Sequence, residues 1–138
     1  MSEMQRAEWD DSLAVHIGPV DEQHKRLVAM INEALDHIRQ NRPGGDLVYL
    51  LKKLFQYAEE HFSTEETYMG DAAYPDAPSH LAEHAAFRRH LETFNLDLVL
   101  RTPHLAHDIL RYLWDWLRQH IAATDKKLGA FLAARGVR

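Results

Sequence analysis

From Val20 onward, apolar residues recur every three or four positions, which is the spacing of a helix with one buried face. The first stripe consists of His24, Leu27, Val28, Ile31, Leu35 and Ile38. The second stripe consists of Leu47, Leu50, Leu51, Leu54, Ala58, His61, Phe62, Glu65 and Met69. Residues 41–45 separate the two stripes and read Asn-Arg-Pro-Gly-Gly, a composition that ends helices. Asp46 is then placed to cap the second helix.

Two further stripes have the same spacing. The third consists of His80, His84, Phe87, Leu91, Phe94 and Leu98. The fourth consists of Leu105, Ile109, Leu110, Leu113, Trp116, Leu117, His120, Ile121, Thr124, Leu128, Phe131 and Leu132. The break at 70–79 holds one glycine and two prolines, with Ser79 as the predicted N-cap of the third helix. The break at 101–103 makes Thr102 the predicted N-cap of the fourth.

These four stripes predict an all-α fold, since no alternating β-pattern of any length occurs. Helices of roughly 20 to 30 residues joined by short connections pack as antiparallel neighbours. The predicted architecture is an up-down-up-down four-helix bundle preceded by an N-terminal arm. A chain of 138 residues is the size of one domain. We therefore expect a single domain over 1–138, with the arm at 1–19 and the bundle at 20–135.

The overall composition excludes several functional classes. Apolar residues at 46% and charged residues at 27% are typical of a globular protein. The 16 basic against 21 acidic residues give a net charge of −5, which disfavours nucleic acid as a partner. No apolar run has the length of a membrane span, and residues 1–11 do not resemble a signal peptide. We expect a cytoplasmic monomer that binds no membrane.

Histidine is the unusual residue, with ten in the chain and no cysteine. Without thiolates, any metal must be held by nitrogen and oxygen. Each predicted helix carries histidine on its apolar face, and two carboxylates join them. A buried ionisable group is costly unless it is paired or bound to metal. The candidate metal ligands are His24, His61, Glu65, His80, His84, His120 and Asp125.

The spacing of these residues suggests shared ions. His61 and Glu65 are four residues apart, as are His80 and His84, so each pair projects from one helix face. His120 and Asp125 are five apart, which places them about 140° around a regular α-helix. Two explanations remain open for that pair. Either the helix contains a single π-turn, or the two side chains reach a wide two-metal cluster from different angles.

Five imidazoles and two carboxylates exceed what one ion can bind, so the sequence predicts two ions. Such a donor set suits iron, manganese, copper or zinc. If both carboxylates and a solvent oxygen bridge, three histidines complete six ligands at one ion, and two leave the other with a vacancy. Taken alone, His24 would be explained better as a hydrogen-bonded histidine of the core than as a metal ligand. The remaining histidines are expected to be surface or hydrogen-bonded side chains, namely His16, His37, His90, His104 and His107.

Four segments resemble the hemerythrin family, in particular its single-domain bacterial members. They are VDEQHKRLVAMIN at 20–32, HFSTEE at 61–66, HLAEHAAF at 80–87 and WLRQHIAATD at 116–125. The segments follow the family's order and spacing over nearly the whole chain, including the unusual five-residue interval in the last one.

The resemblance implies a non-haem di-iron centre (Fe2+/Fe3+), with an oxo or hydroxo bridge, that binds O2 reversibly. Within it, the six-coordinate iron would be held by His80, His84 and His120. The five-coordinate iron would be held by His24 and His61, with Glu65 and Asp125 bridging. Leu117, beside Trp116, matches the position that walls the O2 pocket, although plain core packing would also explain both residues.

The expected role is oxygen storage, delivery or buffering, with no catalytic residues. One alternative is a module of the same fold that senses O2, nitric oxide or redox state through a separate partner; nitric oxide and small anions could also bind at the open iron. The absence of an appended signalling domain makes that alternative less favoured. A di-iron oxidase or peroxidase would need an electron-donor site and a proton donor, and the predicted stripes offer no acid or tyrosine for that role.

Overall fold

Helices account for most of the chain in the computed structural model, which describes residues 5–40, 44–94 and 102–137. No strand occurs within those ranges. Within those ranges the α-helices are α1 (Gly18–Arg39), α2 (Gly44–Asp71), α3 (Ala77–Glu92), α4 (Pro103–Gln119) and α5 (Lys126–Ala134). A π-helical segment, His120–Asp125, joins α4 to α5 without a break, so the two form a single rod.

The four rods form the predicted four-helix bundle, with α1 packed against α2 and α4, and α2 packed against α3. The helices exist because their apolar stripes are buried against one another, as amphipathic packing requires. The fully buried centre includes Ile31, Leu35, Leu51, Ile109 and Leu110. The fold class predicted from the sequence is therefore confirmed. No helix in the described ranges is long and apolar enough to cross a membrane.

The N-terminal arm is fastened to the bundle by specific hydrogen bonds. The Ala7 N–H donates to Asn32 Oδ1 at 2.8 Å, and Asn32 Nδ2 donates back to the Ala7 carbonyl at 2.8 Å. Further along, the Val15 N–H donates to the Asp21 carboxylate at 2.8 Å. At Gly129 in α5, an added Cβ would lie 2.3 Å from the Val15 carbonyl oxygen, so only glycine allows this close approach.

The predicted helix starts are partly wrong. The second helix begins at Gly44, so Asp46 lies in its first turn and is not the N-cap. A carboxylate at that position stabilises the helix through the helix dipole. The third begins at Ala77 with Asp76 as the N-cap, which places Ser79 inside the helix. Pro78 is accommodated in the first turn of α3 because the first N–H groups of a helix have no hydrogen-bond partner within the helix, so the missing N–H of proline costs nothing there.

At the fourth helix the predicted N-cap is confirmed as Thr102, although its side chain makes no capping hydrogen bond. Helix α3 ends at Glu92, so the stripe residue Phe94 lies beyond it. Of the predicted break at 41–45, residues 41–43 lie outside the described residues, and the expectation is wrong for Gly44 and Gly45, which open α2. The stripe residue Leu98 and the predicted helix end at Arg101 also lie outside the described residues.

Candidate metal centre

All seven predicted ligands meet in the middle of the bundle, and none is more than 2% exposed. Helix α1 supplies one histidine, α2 and α3 supply two residues each, and the π-helical segment supplies the last two. They are His24, His61, Glu65, His80, His84, His120 and Asp125. The structure therefore brings together every residue that the sequence suggested as a ligand.

The two carboxylates lie between the imidazoles. Asp125 Oδ2 lies 2.9 Å from His24 Nε2, while Asp125 Oδ1 lies 2.9 Å from His120 Nε2 and 3.1 Å from His80 Nε2. Each oxygen of Asp125 thus faces a different set of histidines. Glu65 Oε1 lies 3.3 Å from His61 Nε2.

The ligand atoms form two overlapping groups, and within each group they all lie within 4.8 Å of one another. One group holds two histidines and the other holds three. The smaller group consists of His24, His61, Glu65 and Asp125. The larger consists of Glu65, His80, His84, His120 and Asp125. Both carboxylates belong to both groups, which is the arrangement of two neighbouring ions with shared bridging ligands.

Several of the donor atoms are suited to a cation because they have no hydrogen-bond partner among the described residues. Both oxygens of Glu65, both oxygens of Asp125 and Nε2 of His80 are buried without a hydrogen-bond partner among the described residues. Buried polar atoms are normally satisfied, so several unsatisfied atoms that converge on one point indicate a site that fits a cation. Carboxylate oxygen with imidazole nitrogen is a donor set that first-row transition metals accept.

The members of the cluster differ strongly in the direction of their pKa shifts. Burial lowers the pKa of His61 to about 4 and, with the nearby charge of His120, lowers that of His84 to about 2. Burial also works against a charge on His120, but Asp125 outweighs it and raises the pKa of His120 to about 10. Burial, reinforced by Asp125, raises the pKa of Glu65 well above its ordinary value.

Three of the imidazoles are held from behind by side chains that the sequence analysis missed. Their Nδ1 atoms lie within hydrogen-bond distance of polar oxygens: His61 of Gln23 Oε1 at 2.8 Å, His84 of Glu66 Oε2 at 2.9 Å, and His120 of Glu83 Oε1 at 2.9 Å. A histidine that binds metal through Nε2 usually donates its Nδ1–H to an acceptor. Searching the sequence for polar residues that could accept a hydrogen bond from each candidate histidine would have been the way to find these three side chains.

An apolar cavity of about 20 Å³ lies against the cluster, enough for about one water-sized molecule. It is one helical turn from His24 and His61, because Leu27 and Ala58 line it. Its lining consists of Leu27, Ile31, Leu54, Phe55, Ala58, Phe62, Phe87, Leu113, Trp116 and Leu117. The structure thus places both predicted pocket residues, Trp116 and Leu117, on the wall of this cavity.

Two aromatic side chains of the cavity wall stack on imidazole rings of the cluster. The ring of Phe62 stacks on that of His84 with centroids 4.0 Å apart, and the indole of Trp116 stacks on His120 at 4.4 Å. Such contacts limit ring rotation, so they help to fix where each nitrogen points.

The five other histidines lie apart from the cluster. His16, His90 and His104 are exposed, as expected, and His90 stacks on Tyr112 at 3.8 Å. His37 departs from the expectation, because it is buried and its Nε2 has no hydrogen-bond partner among the described residues. It follows the buried Ala34 by three positions and so shares that face of α1. His107 is partly buried, and its Nδ1 likewise lacks such a partner.

A helical bundle that converges five imidazoles and two carboxylates on its axis defines a class of cation-binding four-helix proteins. The sequence profile of the hemerythrin HHE cation binding domain matches residues 16–132, which is most of the chain. The chain belongs to the hemerythrin family.

Individual relatives agree with this assignment. Bacteriohemerythrin of Pseudomonas aeruginosa is 31% identical over 117 residues, covering 85% of this chain and 75% of its own. A hemerythrin-like protein of Naegleria gruberi is 32% identical over 119 residues, covering 86% and 87%. The crystal structure of a leucine-to-alanine mutant of hemerythrin superposes with a TM-score of 0.77 at 27% identity, covering 94% of this chain and 98% of that one.

Proposed function

We propose that this protein binds O2 reversibly at a non-haem di-iron centre and so stores, delivers or buffers oxygen. The observation that carries the proposal is the unequal division of the cluster into groups of three and two histidines that share both carboxylates. Unequal shares leave one ion with a free position for a small ligand. The names of the relatives, bacteriohemerythrin and hemerythrin, support the same function.

The residues divide into defined roles under this proposal. His80, His84 and His120 would hold one iron, while His24 and His61 would hold the other. Glu65 and Asp125 would bridge the two, together with an oxo or hydroxo group. When bound, the iron pair supplies the electrons for reversible O2 binding. The protein would hold the ligands in register, and the apolar side chains of the cavity would keep water away from them.

The donor set favours binding over catalysis. Five neutral imidazoles and two carboxylates carry less negative charge than the four glutamates and two histidines of ferritin-like sites, so they should disfavour oxidation beyond ferric iron. The described lining of the cavity is apolar and offers no acid or phenol to deliver a proton. A dry wall of this kind slows the irreversible loss of bound ligand. We therefore assign no catalytic residue and no enzymatic reaction.

The arm belongs to the same unit under this proposal, which treats 1–138 as one hemerythrin-like domain with the arm at 1–19 and the bundle at 20–135. Support comes from the buried side chains of Leu13, Val15 and Ile17, which join the arm to the common core.

The decisive experiment replaces one ligand of the two-histidine group. His61→Ala, loaded anaerobically with two equivalents of Fe2+, should lose reversible O2 binding while keeping most of its helical circular dichroism. His90→Ala removes an exposed histidine outside the cluster and is the matched control. Oxygen affinity is read from the charge-transfer absorption that appears on exposure to air and disappears under argon. Unchanged O2 affinity in His61→Ala would disprove the assignment.

A sensing role is the second candidate, and one contact favours it. The Trp9 ring on the arm lies 6.4 Å from the ring of His24, and Lys25 Nζ lies 5.6 Å from the centre of the same indole. A change at the metal site could therefore alter the arm and a partner bound to it. Hydrogen exchange measured with and without O2 tests this role: protection of residues 5–17 that does not change would exclude it.

A further inference from the structure

Glu83 connects helix α3 to the π-helical segment through two side chains at once. Its Oε1 lies 2.9 Å from His120 Nδ1, and the Thr124 hydroxyl lies 2.8 Å from both carboxylate oxygens. His120 and Thr124 both belong to the π-helical segment. The carboxylate, which is 42% exposed, thus holds the segment at two points from outside the cluster.

A π-helical turn needs such support because it is rare and less favourable than the α-helix that flanks it. Helix α4 and helix α5 are regular on either side, so the segment would relax toward α-helical bonding without a reason to stay. The relaxation would turn the His120 ring and Asp125 away from each other. Contacts from a neighbouring helix to the segment oppose that change.

The supporting acceptors also differ in charge between the two halves of the cluster. In the three-histidine group, His84 and His120 are backed by the carboxylates of Glu66 and Glu83. In the two-histidine group, His61 is backed by the neutral amide of Gln23. A carboxylate behind an imidazole makes the ring a stronger electron donor to a bound metal than an amide does. The charge at Glu66 is partly offset, because Arg88 donates to it at 3.2 Å.

We propose that Glu83 is a positioning residue for the metal centre. Through its contacts with His120 Nδ1 and Thr124, Glu83 fixes the orientation of the His120 ring and the π-helical turn. Its negative charge also makes the three-histidine group a stronger electron donor to the bound metal. This inference rests on the proposed di-iron site. It assigns to a partly buried carboxylate, which binds no metal itself, control of both the affinity for iron and the oxidation state that the site prefers.

The test compares variants of the full chain by two measurements other than O2 binding. Anaerobic Fe2+ affinity is measured by competition with a chelator, and the midpoint potential by redox titration. Glu83→Gln keeps the shape and an acceptor oxygen but removes the charge. Glu83→Ala removes both contacts, and Thr124→Val removes only the hydroxyl. Glu92→Gln is the matched control, because Glu92 is an exposed carboxylate near the end of the same helix.

The expected loss of iron affinity is ten- to hundredfold in Glu83→Ala, which is the usual effect of removing such a partner. Glu83→Gln should bind iron more weakly than Glu92→Gln and should have a higher midpoint potential, because the ferric form loses a nearby negative charge. Thr124→Val should weaken affinity with a smaller change in potential, and Thr124→Ser should restore it.

The inference is overturned if Glu83→Gln matches Glu92→Gln in both affinity and potential. If Glu83→Ala fails to fold, Glu83→Gln and Thr124→Val still decide the matter. A wild-type chain that binds two irons but no O2 would contradict the proposed function and leave these comparisons valid. A wild-type chain that binds no iron would contradict both.

Discussion

The Nε2 atom of His120 lies 2.9 Å from Oδ1 of Asp125, although the two residues are five positions apart on one rod. A regular α-helix would separate such residues by about 140° around its axis. The structure resolves the two explanations left open by the sequence, because His120–Asp125 is π-helical. Since π-helical hydrogen bonds run from i to i+5, both side chains project toward the cluster.

Deleting Ala122, an exposed residue in the middle of the π-helical segment, should convert the segment to α-helix. The deletion leaves His120 and Asp125 four residues apart, the same-face spacing of His61 and Glu65, so we expect iron affinity to stay within about tenfold of wild type. Helical circular dichroism should stay close to that of wild type. Ala122→Ser preserves the length and should bind iron normally. A loss of iron affinity well beyond tenfold in the deletion variant would show that the π-turn does more than bring His120 and Asp125 onto one face.

Iron binding should release protons and strengthen as the pH rises. His120, with a pKa of about 10, is protonated near neutrality in the metal-free protein, and burial raises the pKa of Glu65 as well. A metal ligand must be unprotonated, so binding displaces the His120 proton, and by mass action a higher pH favours the bound form.

The measurement is proton release on anaerobic addition of Fe2+, followed with an indicator dye near pH 7. His120→Gln should release one proton fewer than wild type, because it lacks the imidazolium. Binding without proton release, or an affinity that falls with rising pH, would contradict the protonation states inferred from burial and charge.

Shortening Leu117 should affect both stability and oxidation of the site. The side chain is 6% exposed and lines the apolar cavity, so Leu117→Ala should lower the free energy of unfolding by about 2–5 kcal/mol. Because the substitution removes part of the apolar wall that keeps water from the cluster, we expect iron in the air-exposed variant to oxidise irreversibly faster than in wild type.

Leu51→Ala provides the comparison for that variant. Leu51 is fully buried on α2 but does not line the cavity. We expect a similar loss of stability in urea denaturation without a change in the oxidation rate. If the two variants oxidise equally fast, then general destabilisation, rather than the wall of the cavity, controls oxidation.

Two glycines in helices should respond in opposite ways to alanine. Gly129→Ala places a Cβ 2.3 Å from the Val15 carbonyl oxygen, so the arm must move, at a cost of about 1–3 kcal/mol. Gly70→Ala meets no atom within 4 Å and should be neutral or stabilising by up to about 1 kcal/mol. Urea denaturation of the metal-free protein measures both. A Gly129→Ala variant as stable as wild type would mean that the arm does not need this close approach.

The fold and the ligand set were accessible from the sequence because both depend on periodicity. Residues three or four apart share a helix face, so the stripes that contain His61 and His84 predicted which side of each rod is buried. A polar group on such a stripe is costly unless it has a partner, and this rule selected six of the seven candidate ligands without any knowledge of distance. Asp125 was added although its five-residue interval from His120 does not fit the stripe of a regular helix. The helix starts were less predictable. Ser79 and Asp46 are both favourable N-cap residues. Nevertheless, helix α3 begins at Ala77 and helix α2 begins at Gly44, each two residues before the predicted cap.

Periodicity in the sequence by itself determined the four rods, their buried faces and the set of inward ionisable side chains, because these follow from local spacing and the cost of burial. Only the tertiary structure decided that Glu83, Glu66 and Gln23 stand behind the imidazoles, that the segment from His120 is π-helical, and that the arm closes on Gly129. These features depend on contacts between residues far apart in the chain. No local pattern encodes such contacts, since they arise when separate helices pack in one particular rotation.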